Sequence, residues 1–249
     1  MFRTIYIMWL REMKRFIRSR SRIIGSLAQP LLFLLAFGYG LGAVFSAAGQ
    51  GNYIMFLAPG IIGMSIIFTS IFNGVQVIWD RQFGFLKETL VAPVPRLAIM
   101  IGRTLGGASV AALQGCIVLV MTSFVGFHPY SWPLVIPAIL VMLLIGLLFS
   151  ALGIAVGSLM RDMQGFQLVM NFLVQPLFFL SGALFPLKGA PMLLTIIARA
   201  DPLSYGIDAL RGFLINGSTF GIGLDLAVLA AFSIVFLAMG SYFFSKIQA

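Results

Sequence analysis

Trp79-Asp-Arg-Gln-Phe-Gly-Phe-Leu-Lys-Glu-Thr-Leu-Val-Ala-Pro-Val-Pro-Arg96 is a charged interruption between two long apolar segments. Asp80, Arg81, Lys87 and Glu88 are costly to hold in hydrocarbon, so the stretch is expected in water or at a membrane edge. Asp80 suits a helix N-cap, and Pro93 with Pro95 stops a helix a few turns later. Phe83, Phe85 and Leu86 are then left on a short exposed helix. Exposed aromatics rimmed by charge suit a docking surface for another protein. An interfacial loop whose rings touch lipid headgroups accounts for the same residues, and composition does not choose between the two.

Outward from this stretch the chain is lipid-like in composition. Of 249 residues, 60% are hydrophobic and 9% charged, and the apolar residues fall in long runs. A helix of about 20 residues crosses ~30 Å of hydrocarbon, so the expected fold is an all-α polytopic membrane protein. The net charge of +9 would point to nucleic acid in a soluble chain. Here it is read as loops rich in Lys and Arg, with no nucleic-acid partner. The single cysteine, Cys116, lies in an apolar run and is read as filler facing lipid or core.

Residues 1–22 make one amphipathic unit. Phe2, Ile5, Tyr6, Trp9, Leu10, Met13, Phe16 and Ile17 recur at helical spacing, with Arg3, Arg11, Lys14, Arg15 and Arg18 mostly on the other side. With Arg20 and Arg22 the unit holds seven basic residues against one acid, Glu12. Such a helix is expected in the interface of an anionic leaflet, with membrane lipids as its partner. It is too charged, and the apolar run behind it too long, for a secretory signal.

Six spans follow: about Ile23–Phe45, Tyr53–Ile78, Leu97–Phe127, Trp132–Met160, Phe166–Phe185 and Gly221–Phe244. The second is expected to break softly at Pro59 and Gly60. Arg103 lies near enough to the start of the third to snorkel back to the interface. Gly38-x-x-x-Gly42 and Gly153-x-x-x-Gly157 have the spacing of close helix–helix contacts. Residues 187–220 differ, their short apolar pieces broken by Pro191, Asp201 and Pro202. They read as two short helices that dip into or lie on the outer interface. The N-terminal unit, residues 79–103, Arg161 and Lys246 carry thirteen of the sixteen Lys and Arg, so both termini are expected to be cytoplasmic.

No glycine precedes any of the four lysines, so a phosphate-binding Gly-Lys-Ser/Thr loop is missing. There is no Gly-x-Ser-x-Gly elbow and no His-Glu-x-x-His, and the one histidine, His128, sits in a loop where it is expected to be solvated. Asp225 is the nearest approach to a carboxylate within a span, and it lies close to a membrane edge. The spans are thus expected to hold no buried charge, unlike those of a proton-driven carrier. Met and Phe stripes are read mainly as packing. The chain supplies a membrane body without an energy source, and energy is expected to arrive from a protein docking at residues 79–96.

Asp80 to Arg96 resembles the signature loop of the type-2 ATP-binding-cassette exporter permeases, especially the daunorubicin-resistance and nodulation-factor-export types. Asp201-Pro-Leu-Ser-Tyr-Gly-Ile-Asp-Ala-Leu-Arg211 is similar to the same family's segment before the last span, with Asp201 where Asn is commoner. The resemblance covers the whole chain. It implies a half-transporter: two copies, or one copy and a relative, pairing with two separate ATPase subunits that hold ATP and Mg, with no cofactor in this chain. The stretch from Asp80 to about Leu90 would be the coupling helix. Phe83, Phe85 and Leu86 would fill the ATPase pocket, Arg81, Lys87 and Glu88 would set register, and Gly84 would allow close approach. Residues 1–22 would be the connector helix, and residues 187–215, with Pro202, Tyr205, Asp208 and Arg211, the outer gate. The expected cargo is hydrophobic or amphipathic (a drug, a lipid or a lipid-linked glycan), and the expected location is a bacterial inner membrane. An ATP-independent carrier or an assembly protein is the alternative.

Overall fold

The computed structural model describes residues 1–47, 51–85, 94–187 and 189–246, and among these the chain is helical throughout, with no strand. The elements are α1 (Phe2–Arg18), α2 (Arg20–Gly40), α3 (Gly42–Ala47), α4 (Tyr53–Phe72), α5 (Val75–Gln82), α6 (Arg96–Phe124), α7 (Val135–Leu159), α8 (Met163–Leu180), α9 (Met192–Ala200), α10 (Pro202–Ile215) and α11 (Ile222–Ser245). Six are long and apolar enough to cross a membrane, counting α4 and α5 as one span. The expected all-α architecture and the number of spans are therefore correct.

The core is built from α4, α6 and α7, which pack on one another along most of their lengths. Their buried faces are rich in Ile, Ala and Gly, among them Ile61, Ile66, Ala111, Ile145 and Ile154. Between membrane helices lipid is as apolar as leucine, so close van der Waals packing holds the bundle together. The helix α11 leans on α7, and α1 lies along α6. By contrast α2, α8 and α11 keep most of their surface outside the protein.

The second span breaks elsewhere than expected. The helix α4 runs through Pro59 and Gly60 without interruption, and the break falls at Asn73–Gly74, where α5 begins. Its cause is a backbone-to-backbone contact. A methyl group on Gly74 would lie 2.0 Å from the carbonyl oxygen of Gly153, and one on Gly157 would lie 2.4 Å from that of Gly74. The Gly153–Gly157 pair is thus a true close-packing site, against the end of α4. Of the other pair, Gly38 meets Ile54 of α4 while Gly42 faces open space.

Hydrogen bonds define the two ends of the bundle. At one end Arg81 donates to Met160 O at 3.2 Å and Gln82 to Arg161 O at 3.4 Å, close to the start of α6 and the end of α11. At the other, Tyr53 Oη donates to Leu184 O at 2.8 Å and Tyr130 N to Leu214 O at 2.8 Å. The first end carries most of the basic residues.

Candidate functional site

The basic end of the second span shows what the charged stretch does. The helix α5 stops at Gln82 with Phe83 as its C-cap, and Gly84 follows with φ +79°, a left-handed turn that suits glycine. Gly84 is thereby accounted for by the turn itself, and a Cβ there would meet nothing within 4 Å. Phe83 is 63% exposed and meets Trp79, 46% exposed, in a tilted ring contact with centroids 5.3 Å apart. Phe85 is also exposed. Leu86, Lys87, Glu88 and Pro93 lie outside the described residues, and Pro95 is the N-cap of α6.

Asp80 is not in water and is not an N-cap. It sits inside α5, 4% exposed, because α5 continues the second span and turns this side chain back against α1 and α6. Its carboxylate accepts from Arg11 Nη2 of α1 at 3.0 and 3.1 Å, and from Arg103 Nη2 of α6. Arg103 does not snorkel. It is 2% exposed and directed at Asp80. Glu12 is buried beside them, with Arg15 Nη1 3.8 Å from its carboxylate and also donating to Gln76 of α5. A buried charge cluster therefore ties α1, α5 and α6 together, contrary to the expectation of uncharged spans. Desolvating these groups is costly, and their mutual bonds offset that cost. Arg81 likewise turns inward in part, to cap the carbonyl of Met160 at the end of α7.

Glycine lets α1 come close enough for this. A Cβ on Gly102 would lie 2.7 Å from Met8 Cβ and 2.8 Å from Ile5 O, and one on Gly106 would lie 2.7 Å from Glu12 Cβ. Trp9 Nε1 donates to Ser109 Oγ one turn further on, at 3.0 Å. Sequence reasoning missed Arg11 and Arg103 as partners of Asp80, and Glu12 as the buried acid beside Arg15. The available signal was the lone cation eight residues into an apolar span, unmatched unless an acid approached it.

At the opposite end α10 is almost wholly buried. Asp201 caps it, accepting from Leu203 N at 2.8 Å, and Pro202 takes the first helical turn. Burial pushes the Asp201 carboxyl up to about 7, against the opposing pull of the Leu203 N–H and the Ser204 hydroxyl. Asp208 accepts from the backbone N–H groups of Thr219 (2.8 and 2.9 Å) and Phe220 (2.7 Å), holding the turn into α11. Arg211 donates to Gly182 O at 2.9 Å and Ala183 O at 3.0 Å, and its guanidinium stands 3.8 Å from the centre of the Phe56 ring. Burial lowers its pKa to about 10, opposed by Asp208 and Tyr53, and it stays charged at neutral pH. Tyr205 Oη donates to Arg199 O at 2.9 Å. Two short helices are present here, and Pro202, Asp208 and Arg211 are buried joints between them and the spans.

The profile of the family described as "ABC-2 type transporter" matches residues 3–215. The chain belongs to that family. This ABC-2 permease is similar to Nodulation protein J of Rhizobium leguminosarum bv. trifolii, at 28% identity over 94% of the chain and 87% of the relative. It is also similar to the inner membrane transport permease YadH of Escherichia coli (strain K12), at 30% identity over 86% of each. The match takes in α1, the aromatic end of α5, α6 and the buried α10, so both ends described above belong to the part that the ABC-2 permease shares with its family.

Proposed function

We propose that this permease is the membrane subunit of an exporter driven by a separate ATPase that docks at the Trp79–Phe83–Phe85 surface. One observation carries the reading: two aromatics in mutual contact stand exposed at the basic end of a span, on a helix otherwise locked into the bundle. Rigid aromatics give contact area at low entropic cost, which suits a docking anchor. The Arg11–Asp80–Arg103 clasp joins that anchor to α1 and α6, so a movement of the docked subunit is passed into the spans. ATP and Mg belong to the docking subunit. Two ATPases and two copies of this chain make the working assembly, and α10 with its joints forms the outer gate.

The basic end faces the cytoplasm on this reading, with both termini there and the chain in a bacterial inner membrane, as the name of the Escherichia coli relative also suggests. A hydrophobic or amphipathic cargo fits the apolar faces of α2 and α8. The test is co-purification from membranes. A cytoplasmic ATPase without spans of its own is expected to accompany the wild-type chain, and the Phe83→Ala/Phe85→Ala variant is expected to lose it while keeping its helical spectrum. An undiminished complex after that double change overturns the docking surface, and a wild-type chain that brings down no ATPase favours an ATP-independent carrier.

A further inference from the structure

An open groove of about 1150 Å³ runs along the outside of the bundle between α1–α2 and α4–α5. Its two ends differ in chemistry. One is apolar, with Pro30, Met64, Phe68 and Phe72 on its walls. The other holds Arg11, Arg15 and Gln76, next to Trp79. Arg11 and Arg15 also line a second open cavity of about 940 Å³, together with Lys14, Arg18 and Arg20.

The charge at the polar end does not cancel. Arg11, Arg15 and Arg103 face two carboxylates, Asp80 and Glu12, which leaves one cation in excess before Lys14, Arg18 and Arg20 are added. Arg103 is sealed inside, so the excess is presented by the side chains of Arg11 and Arg15, 31% and 36% exposed. From Met64 to Trp79 the second span advances fifteen residues across the Asn73–Gly74 break, about 22 Å at 1.5 Å per residue, long enough for an acyl chain.

We infer that this groove binds an anionic phospholipid of the adjoining leaflet, its phosphate at Arg15 and an acyl chain along Met64 and Phe68. A hydrocarbon tail matches the apolar walls, and a phosphate matches a guanidinium that has excess charge and open surface. Such a lipid would brace α2, which otherwise makes limited contact with the bundle, against α4 and α5. This binding is independent of what the chain exports, and because Trp79, Phe83 and Phe85 also line the groove, it is tested on the chain without a docked ATPase.

Trp79 lines the groove and reports on it. The chain would be placed in nanodiscs of phosphatidylcholine containing either brominated phosphatidylglycerol or brominated phosphatidylcholine. The quenching due to Trp79 is the difference between the wild type and Trp79→Phe. We expect phosphatidylglycerol to be preferred about fivefold, the factor for one cation near an anionic headgroup. Arg15→Gln is expected to abolish the preference and Arg15→Lys to keep it. Ser26→Phe, which narrows the apolar part and leaves the charge alone, is expected to lower quenching by either lipid. Equal quenching by the two lipids, or a preference that survives Arg15→Gln, overturns the inference. So does absence of quenching by both, which would mean that a second copy of the chain covers the groove.

Discussion

The guanidinium of Arg103 and the carboxylate of Asp80 are bonded to each other inside the bundle, joining the third span to the end of the second. Both are at most 4% exposed; without Asp80 the guanidinium of Arg103 would be a buried charge with no carboxylate bonded to it, whereas without Arg103 the carboxylate of Asp80 keeps Arg11. Removing one partner of such a pair costs roughly 3–5 kcal/mol, whereas replacing both by apolar side chains is far milder. Asp80→Leu is therefore expected to lower the thermal unfolding midpoint in detergent sharply, and Arg103→Leu/Asp80→Leu to regain most of the loss. Arg11, the third member, has enough exposure to find water in the double variant.

The contact between α1 and α6 depends on the missing side chain at Gly102. Gly102→Val would push a branched side chain into Met8 and the Ile5 carbonyl, at a cost of roughly 1–3 kcal/mol for overpacking. Lifting α1 would also break the bond from Trp9 to Ser109, so Trp9 emission is expected to shift to the red. Gly40→Ala is the control, since a Cβ there meets nothing within 4 Å.

Asp201 makes stability depend on pH. Its carboxyl is raised from 3.8 to about 7 in the folded chain, so folded molecules hold the proton where unfolded ones have lost it. The stabilising contribution is complete below about pH 4, declines as pH rises, and is gone above about pH 7. A shift of that size corresponds to roughly 4 kcal/mol at most. Asp201→Asn keeps a capping oxygen but does not ionise. The variant is expected to match the wild type near pH 4 and to exceed its unfolding midpoint at pH 8. Parallel curves for the two proteins across this range would show that Asp201 does not titrate there.

Arg211 holds two carbonyls and a ring at once, a task for a planar fork. Arg211→Lys keeps the charge but cannot reproduce that geometry, and is expected to cost roughly 1–3 kcal/mol. Arg199→Lys, on the exposed α9, is expected to change the unfolding midpoint little.

Runs of apolar residues made the spans legible, because length alone decides whether a helix can cross hydrocarbon. Asp201 was legible as a cap and Gly153–Gly157 as a close contact, since both signals are local. The clasp was not. Asp80, Arg11 and Arg103 lie far apart in the chain, and the burial of Asp80 depends on α5 prolonging the second span beyond Ile78. The Asn73–Gly74 break was hidden for a related reason. Pro59 is the stronger breaker in isolation, yet a membrane helix can absorb a proline, whereas Gly74 yields to a backbone on another span. The exposure of Phe83 followed from its neighbours' charge, whereas its contact with Trp79 was not read from the sequence.

With the backbones of Gly74 and Gly153 in contact, α5 is hung from the fourth span as much as from the one it continues. Val77 and Ile78 are buried, and Val77 lies in a cluster with Ile99, Ala151 and Ile154. The end of α5 that carries Phe83 is thus cantilevered from α7: its footing is the glycine contact and the Val77 cluster on the fourth span, and the upper part of the second span bears only one side of it.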